Sequence, residues 1–101
     1  MKKSFRIALL LAVASIVIAC AGAPVQEMSN ARQAVRAAQR AGAEQAAPEQ
    51  YKAARSLLRK AEQALRTRDY DSARDNAVEA KSRAQDALNR ARDSDEDNDP
   101  H

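Results

Sequence analysis

The chain has 101 residues, a formal net charge of +3 at pH 7, 31% charged side chains and 3% aromatic ones. This length suits one small domain, and the two glycines and absence of tryptophan favour helix. The shortage of aromatic side chains disfavours nucleic acid as a partner. The single histidine, His101, and the absence of a phosphate loop or metal-ligand cluster disfavour an enzyme.

The first nineteen residues have the layout of a secretory signal peptide. A positive segment, MKKSFR, precedes an apolar run of thirteen residues, 7–19. As a helix this run would span about 20 Å, which is too short for a hydrocarbon core of about 30 Å. We therefore predict that the segment is cleaved, and that it is not a permanent membrane-spanning helix.

The only cysteine of the chain follows this apolar run. Val17-Ile18-Ala19-Cys20 resembles the bacterial lipobox. In proteins of that class the cysteine sulfur receives a diacylglycerol, the peptidase cuts between Ala19 and Cys20, and acyl chains such as palmitate hold the protein in a membrane. The alternative is an ordinary signal peptide cut after Ala21, which would leave no thiol. Ala21 is not the aspartate that retains lipoproteins at the inner membrane in enterobacterial relatives, so we predict the periplasmic face of the outer membrane.

Loss of the leader changes the charge balance. Lys2, Lys3 and Arg6 would be removed, which leaves 14 basic and 14 acidic side chains. Five of the acids belong to the terminal DSDEDNDPH, so residues 20–92 hold an excess of five bases. We predict that residues 93–101 form a disordered acidic tail. Its alternating aspartates leave weak divalent-cation binding as an alternative, although the glycine that a calcium-binding loop needs is missing.

Glycine and proline divide the mature chain into a short tether at 20–28 and three helices. The predicted helices span about 29–42, 48–67 and 69–92. Ser29 or Asn30 is the expected cap of the first helix, Gly42 ends it, Pro48 opens the second and Asp69 caps the third.

Apolar residues recur at alternating steps of three and four in each helix, which predicts one buried face per helix. The second helix contributes Tyr51, Ala54, Leu58, Ala61 and Leu65. In the third, Tyr70 precedes six alanines that we call the alanine seam: Ala73, Ala77, Ala80, Ala84, Ala87 and Ala91. Such small side chains permit close, coiled-coil-like packing. Met28, Ala31, Val35 and Ala38 form the corresponding face of the first helix. Three such faces predict an all-α antiparallel three-helix bundle.

This core would contain few large side chains. An alanine side chain buries little apolar area and so contributes little to stability. The bundle is therefore expected to be only marginally stable alone. We therefore expect a homo-oligomer, formed by self-association along the alanine seam, or an envelope protein as partner.

The pattern also resembles a known family. Ala43-Glu44-Gln45-Ala46-Ala47-Pro48, then Tyr51-x-x-Ala54, Ala61-x-x-Ala64-Leu65 and Asp69-Tyr70-x-x-Ala73, is similar to the small bacterial lipoproteins of the domain of unknown function 4398 family (DUF4398). The resemblance covers about residues 25–92. It implies a three-helix, tetratricopeptide-like periplasmic module on the outer membrane, and it brings no catalytic residues.

Three arginines at i, i+4 and i+8, Arg32, Arg36 and Arg40, form one stripe on the first helix. No acid lies between Glu27 and Glu44. The stripe is a candidate site for anionic lipid headgroups, lipopolysaccharide phosphates or peptidoglycan carboxylates. The alternative is that these arginines pair with acids of the third helix or are simply solvated.

Taken together, these features predict a lipid-anchored cell-envelope protein that acts as a structural or protein-interaction module. We expect no catalytic residue, no metal, no cofactor other than the covalent lipid on Cys20, and no nucleic acid. Binding of an anionic envelope ligand is the alternative function.

Overall fold

A computed structural model describes residues 22–98 of the chain. These residues form helices α1 (Val25–Arg40), α2 (Ala43–Ala46), α3 (Pro48–Arg66) and α4 (Tyr70–Asn98), with no strand among them. The all-α class is therefore confirmed. The predicted signal peptide, its cleavage position at Ala19, and Cys20 lie outside the described residues. None of the helices in the described range is both long and apolar enough to cross a membrane.

The three long helices pack as a bundle in which α4 has the central place. It lies along both α1 and α3, and these two share a smaller contact with each other. Short connections make α1 and α3 antiparallel, and likewise α3 and α4. The one-turn helix α2 closes the end of the bundle between α1 and α3. The predicted three-helix bundle is confirmed, with this short helix added.

The core follows the predicted helical periodicity. All six residues of the alanine seam have 0% exposure, and Met28, Ala31, Val35 and Ala38 cover them from α1. Tyr51, Ala54 and Ala61 cover them from α3. Leu58 and Leu65 are only partly buried at the edges of this core. The seam is therefore covered within one chain. Self-association of the protein stays a prediction.

Helix α1 begins at Val25, four residues earlier than the predicted start at residue 29. The fully buried Pro24 precedes it, and the Pro24 carbonyl accepts a hydrogen bond from the Met28 amide at 3.0 Å. Packing of Pro24 and Met28 thus sets the start, without a side-chain cap. Ser29 and Asn30, the expected caps, lie inside the helix. Within the described residues the irregular tether is reduced to residues 22–24.

The turn after α1 contains Gly42, whose φ of 79° is left-handed. Its amide donates to the Gln39 carbonyl at 3.0 Å, as is typical of a helix that ends in a left-handed residue. Its carbonyl accepts from the Ala46 amide at 3.1 Å, which starts α2. Gly42 therefore ends α1, as predicted, and also opens the next turn. Pro48 occupies the first turn of α3, also as predicted.

Substitution of Gly42 by alanine should lower the free energy of unfolding by about 1 kcal/mol. A Cβ at this position would meet nothing within 4 Å, so the loss comes from the left-handed backbone alone. Urea unfolding followed by circular dichroism measures it. The matched control is Gly22→Ala, whose Cβ would make an ordinary contact 4.0 Å from Tyr70 Cε2. Equal losses for the two variants would contradict this explanation.

The turn between α3 and α4 contains neither glycine nor proline, and Arg68 takes the left-handed conformation with φ of 62°. The Asp69 amide donates to the Ala64 carbonyl at 2.9 Å and the Arg68 amide to the Leu65 carbonyl at 3.2 Å. These two bonds form a Schellman motif. The Ser72 amide then donates to Asp69 Oδ1 at 3.3 Å, so the predicted cap of the last long helix is confirmed.

Helix α4 continues to Asn98, past the predicted end at residue 92 and through most of the tail predicted to be disordered. The chain has no glycine or proline between Asp69 and Pro100. Each added residue extends an existing helix by one hydrogen bond without a new nucleation step. This gain outweighs the unfavourable position of acids at a helix C-terminus. Residues 99–101 lie outside the described range.

Candidate functional site

The three arginines of the predicted stripe have different surroundings. Arg32 Nε lies 3.4 Å from Glu62 Oε1, so this arginine pairs with α3, not with the last helix as the alternative supposed. Arg36 and Arg40 are exposed. No described carboxylate lies within 4.0 Å of either one. Arg40 Nε instead donates to the Arg36 carbonyl at 3.4 Å. Two of the three predicted site residues therefore remain available to an anion.

Helix α3 adds cations that are not among the predicted site residues. Lys52, Arg55 and Arg59 line a shallow groove of about 150 Å³ with Tyr51 and Glu44. All three cations are exposed, and the salt bridges among the described residues include none of them. Their spacing of three and four residues places them on one helix face, the same signal that identified the stripe on α1.

One contact orients this group. The Arg55 guanidinium carbon lies 5.9 Å from the centroid of the Tyr51 ring, a cation–π arrangement. Tyr51 is 2% exposed, so the ring is a fixed part of the core. Arg55 therefore has a rigid support although its guanidinium faces water.

The Arg32–Glu62 ion pair shows how α1 and α3 are aligned. In antiparallel helices, one turn forward on α1 corresponds to one turn back on α3. Arg36 therefore lies beside the turn of α3 that carries Arg59. We call Arg36, Lys52, Arg55 and Arg59 the basic face. Glu44 lines the same groove as the cations of α3, and Glu62 is engaged by Arg32.

Arg40 belongs to a different concavity, between α1 and α4. This open groove of about 550 Å³ is lined by cations, amides and apolar side chains: Asn30, Gln33, Arg40, Lys81, Gln85 and Leu88, with Ala34 and Ala37. No carboxylate lines it. The groove can donate hydrogen bonds to an anion.

Charge is divided between the two sides of the bundle. Residues 22–68 contain nine basic and four acidic side chains, whereas residues 69–98 contain five basic and nine acidic ones. Asp71, Asp75 and Glu79 are exposed on α4. Because α4 packs across both α1 and α3, its outer surface is on the opposite side of the bundle from the basic face. The described part of the molecule is therefore electrically polarised across its thickness.

The acidic tail does not have the geometry of a cation-binding loop. Asp93, Asp95 and Asp97 are exposed residues of α4, where a two-residue step turns the side chain by about 200°. Among the described residues no group of three or more histidine, cysteine or acidic side chains could hold a metal ion. The alternating spacing therefore does not place successive aspartates of this segment on one face. Divalent-cation binding by the whole tail stays a prediction.

Comparison with known proteins identifies the family of the chain. Neither a curated protein nor a solved structure matches the chain. A family model described as Domain of unknown function (DUF4398) matches residues 26–100, which include α2, α3, α4 and all but the first residue of α1. This match covers well over half of the 101 residues and confirms the resemblance found in the sequence. The chain therefore belongs to the DUF4398 family.

Proposed function

We propose that the protein is a non-catalytic, lipid-anchored module of the cell envelope, held at the periplasmic face of the outer membrane through Cys20. The observation that carries the proposal is the position of the lipobox-like cysteine directly before the bundle. Helix α1 starts at Val25, so four residues separate it from Cys20. At no more than about 3.5 Å for each of the five steps from Cys20 to Val25, this segment would keep the start of α1 within about 18 Å of its anchor.

A structural or interaction role suits the composition of the bundle. The stretch from residue 22 to residue 98 contains neither histidine nor cysteine, and its buried side chains are apolar. The partner is an envelope protein, a second copy or the wall. Because the alanine seam is closed within the chain, contact with a partner would use the outer surfaces of the helices. Val78, 54% exposed on α4, is one apolar position there.

Mass spectrometry of the mature N-terminus tests the anchor. The wild-type protein should yield an N-terminal peptide that begins at Cys20 and carries the mass of a diacylglycerol and a further acyl chain. Cys20→Ala should lose this modification and the outer-membrane location in cell fractionation. An unmodified mature chain that begins at Gly22 would contradict the proposal, because it is the product of ordinary signal peptidase cleavage.

Crosslinking in cells tests the interaction role separately. We expect adducts that contain the protein and an envelope partner or a second copy. Recovery of the monomer alone, from cells in which the lipidated form has been verified, would contradict this part of the proposal.

A second candidate function is recognition of an anionic envelope ligand. The exposure of Arg36 and Arg40, without a carboxylate near either one in the described residues, favours it. Arg32, also predicted as part of this site, is less available to a ligand because it is paired with Glu62.

A further inference from the structure

We propose that the basic face, Arg36 with Lys52, Arg55 and Arg59, binds the surface of an anionic phospholipid bilayer, so that the bundle lies flat with α4 turned away from the lipid. This inference deepens the second candidate function, because it assigns one ligand and adds three residues of α3. It does not require lipidation of Cys20.

The charges of the face support binding to phosphate. Its four cations are exposed and form no ion pair with a described acid. A Lys or Arg near an anionic leaflet strengthens binding about fivefold. Arg32 would gain less from an anionic surface, because it is only partly exposed and already paired with Glu62. The basic face therefore has its full charge available to a surface.

The shape of the face favours an extended surface over a small ligand. The groove among its α3 residues is only about 150 Å³, and its cations are distributed along two turns of α3 and onto α1. A bilayer presents phosphates in a plane, which matches cations spread along two helices. The larger groove between α1 and α4, with its amides, would suit a compact ligand better, and it lies on another side of α1.

The polarity of the bundle determines which side meets the lipid. The exposed acids of α4, including Asp71, Asp75 and Glu79, would be repelled by the anionic surface that attracts the basic face. Because the two sets lie on opposite sides of the bundle, attraction and repulsion favour the same orientation. A lipid on Cys20, which four residues separate from α1, would hold one end of the face near the membrane without enforcing this orientation.

Vesicle cosedimentation of the full chain tests the proposal. The vesicles are pure phosphatidylcholine, or phosphatidylcholine with 30% phosphatidylglycerol. The variant Arg36→Gln, Arg55→Gln, Arg59→Gln should lose on the order of 100-fold in partitioning onto the anionic vesicles, from about fivefold per cation. The matched control, Lys60→Gln, Lys81→Gln, Arg92→Gln, removes the same charge from other surfaces and should lose less than about fivefold. All variants keep residues 1–21, so the leader contributes equally.

Two further measurements separate the proposal from its alternatives. Arg36→Lys, Arg55→Lys, Arg59→Lys retains the charges and should retain binding, with circular dichroism to show that each variant is folded. An equal loss in the face and control variants, or equal binding of the wild type to both vesicles, would overturn the proposal. It would also be overturned if the glutamine variant lost binding to purified sacculi but not to vesicles, which would assign the face to the wall.

Discussion

Replacement of Tyr51 by alanine should lower the free energy of unfolding by about 3 kcal/mol, a large share of the stability of so small a bundle. Tyr51 is 2% exposed and is the only buried aromatic residue in the described range. Its cluster consists of Val35 and alanines of all four helices. The alanine side chains cannot move to fill the space that the ring would leave. Leu58 and Leu88 border the cluster only from partly buried positions, so much of the cavity would persist. Urea unfolding followed by circular dichroism measures the loss.

Two companion variants separate the loss of the ring from other effects. Tyr51→Phe should change the free energy of unfolding by less than about 0.5 kcal/mol, because the side-chain hydrogen bonds of the described residues do not include the Tyr51 hydroxyl. Tyr70→Ala removes an equal volume from a half-buried position and should cost about 1 kcal/mol. A greater loss for Tyr70→Ala than for Tyr51→Ala would show that the core is centred elsewhere.

The buried faces could be predicted from sequence because helical periodicity alone determines them. Steps of three and four select the alanine seam and Tyr51, and each of these residues is buried. Leu58 and Leu65 have the same spacing but are only partly buried. Their position at the edge depends on how α3 is rotated against α4, which is set by packing between helices and not by periodicity within one.

The helix ends were harder to predict because two different effects determine them. At the start of α1, burial of Pro24 and Met28 prevails over the capping preferences of Ser29 and Asn30. Burial is a property of the assembled bundle, so local sequence preferences do not contain it. At the end of α4, propagation of a long helix prevails over the acidic composition of the tail. The acidic composition of the tail indicates that its side chains are solvated. It does not indicate whether the backbone continues the helix that precedes the tail.

The candidate site was predicted only in part for a related reason. Spacing on α1 identified the arginine stripe, but the pair between Arg32 and Glu62 depends on the alignment of two helices. The cations on α3 have an equally regular spacing, which was sufficient to predict them as candidate site residues. Their relation to Arg36 depends on the alignment of α1 with α3, because a surface formed by two helices has no signature in either helix alone.

Replacement of Ala84 by leucine should lower the free energy of unfolding by about 2 to 3 kcal/mol, the upper part of the range for overpacked cores. Ala84 has 0% exposure and belongs to the cluster that includes Tyr51, Ala54 and Ala87. The helices approach closely because the seam is alanine, so a leucine side chain could be accommodated only by separating α4 from α3. Urea unfolding followed by circular dichroism measures the change.

The control for this variant is Ser82→Leu, an equally apolar substitution two residues away on the exposed surface of α4. It should leave the free energy of unfolding within about 0.5 kcal/mol of the wild type, because leucine is the better helix former and displaces nothing. Size-exclusion chromatography of both variants accompanies the unfolding curves. If Ala84→Leu were as stable as the wild type and changed the oligomeric state instead, the alanine seam would be an interface between chains and not the closed core of one.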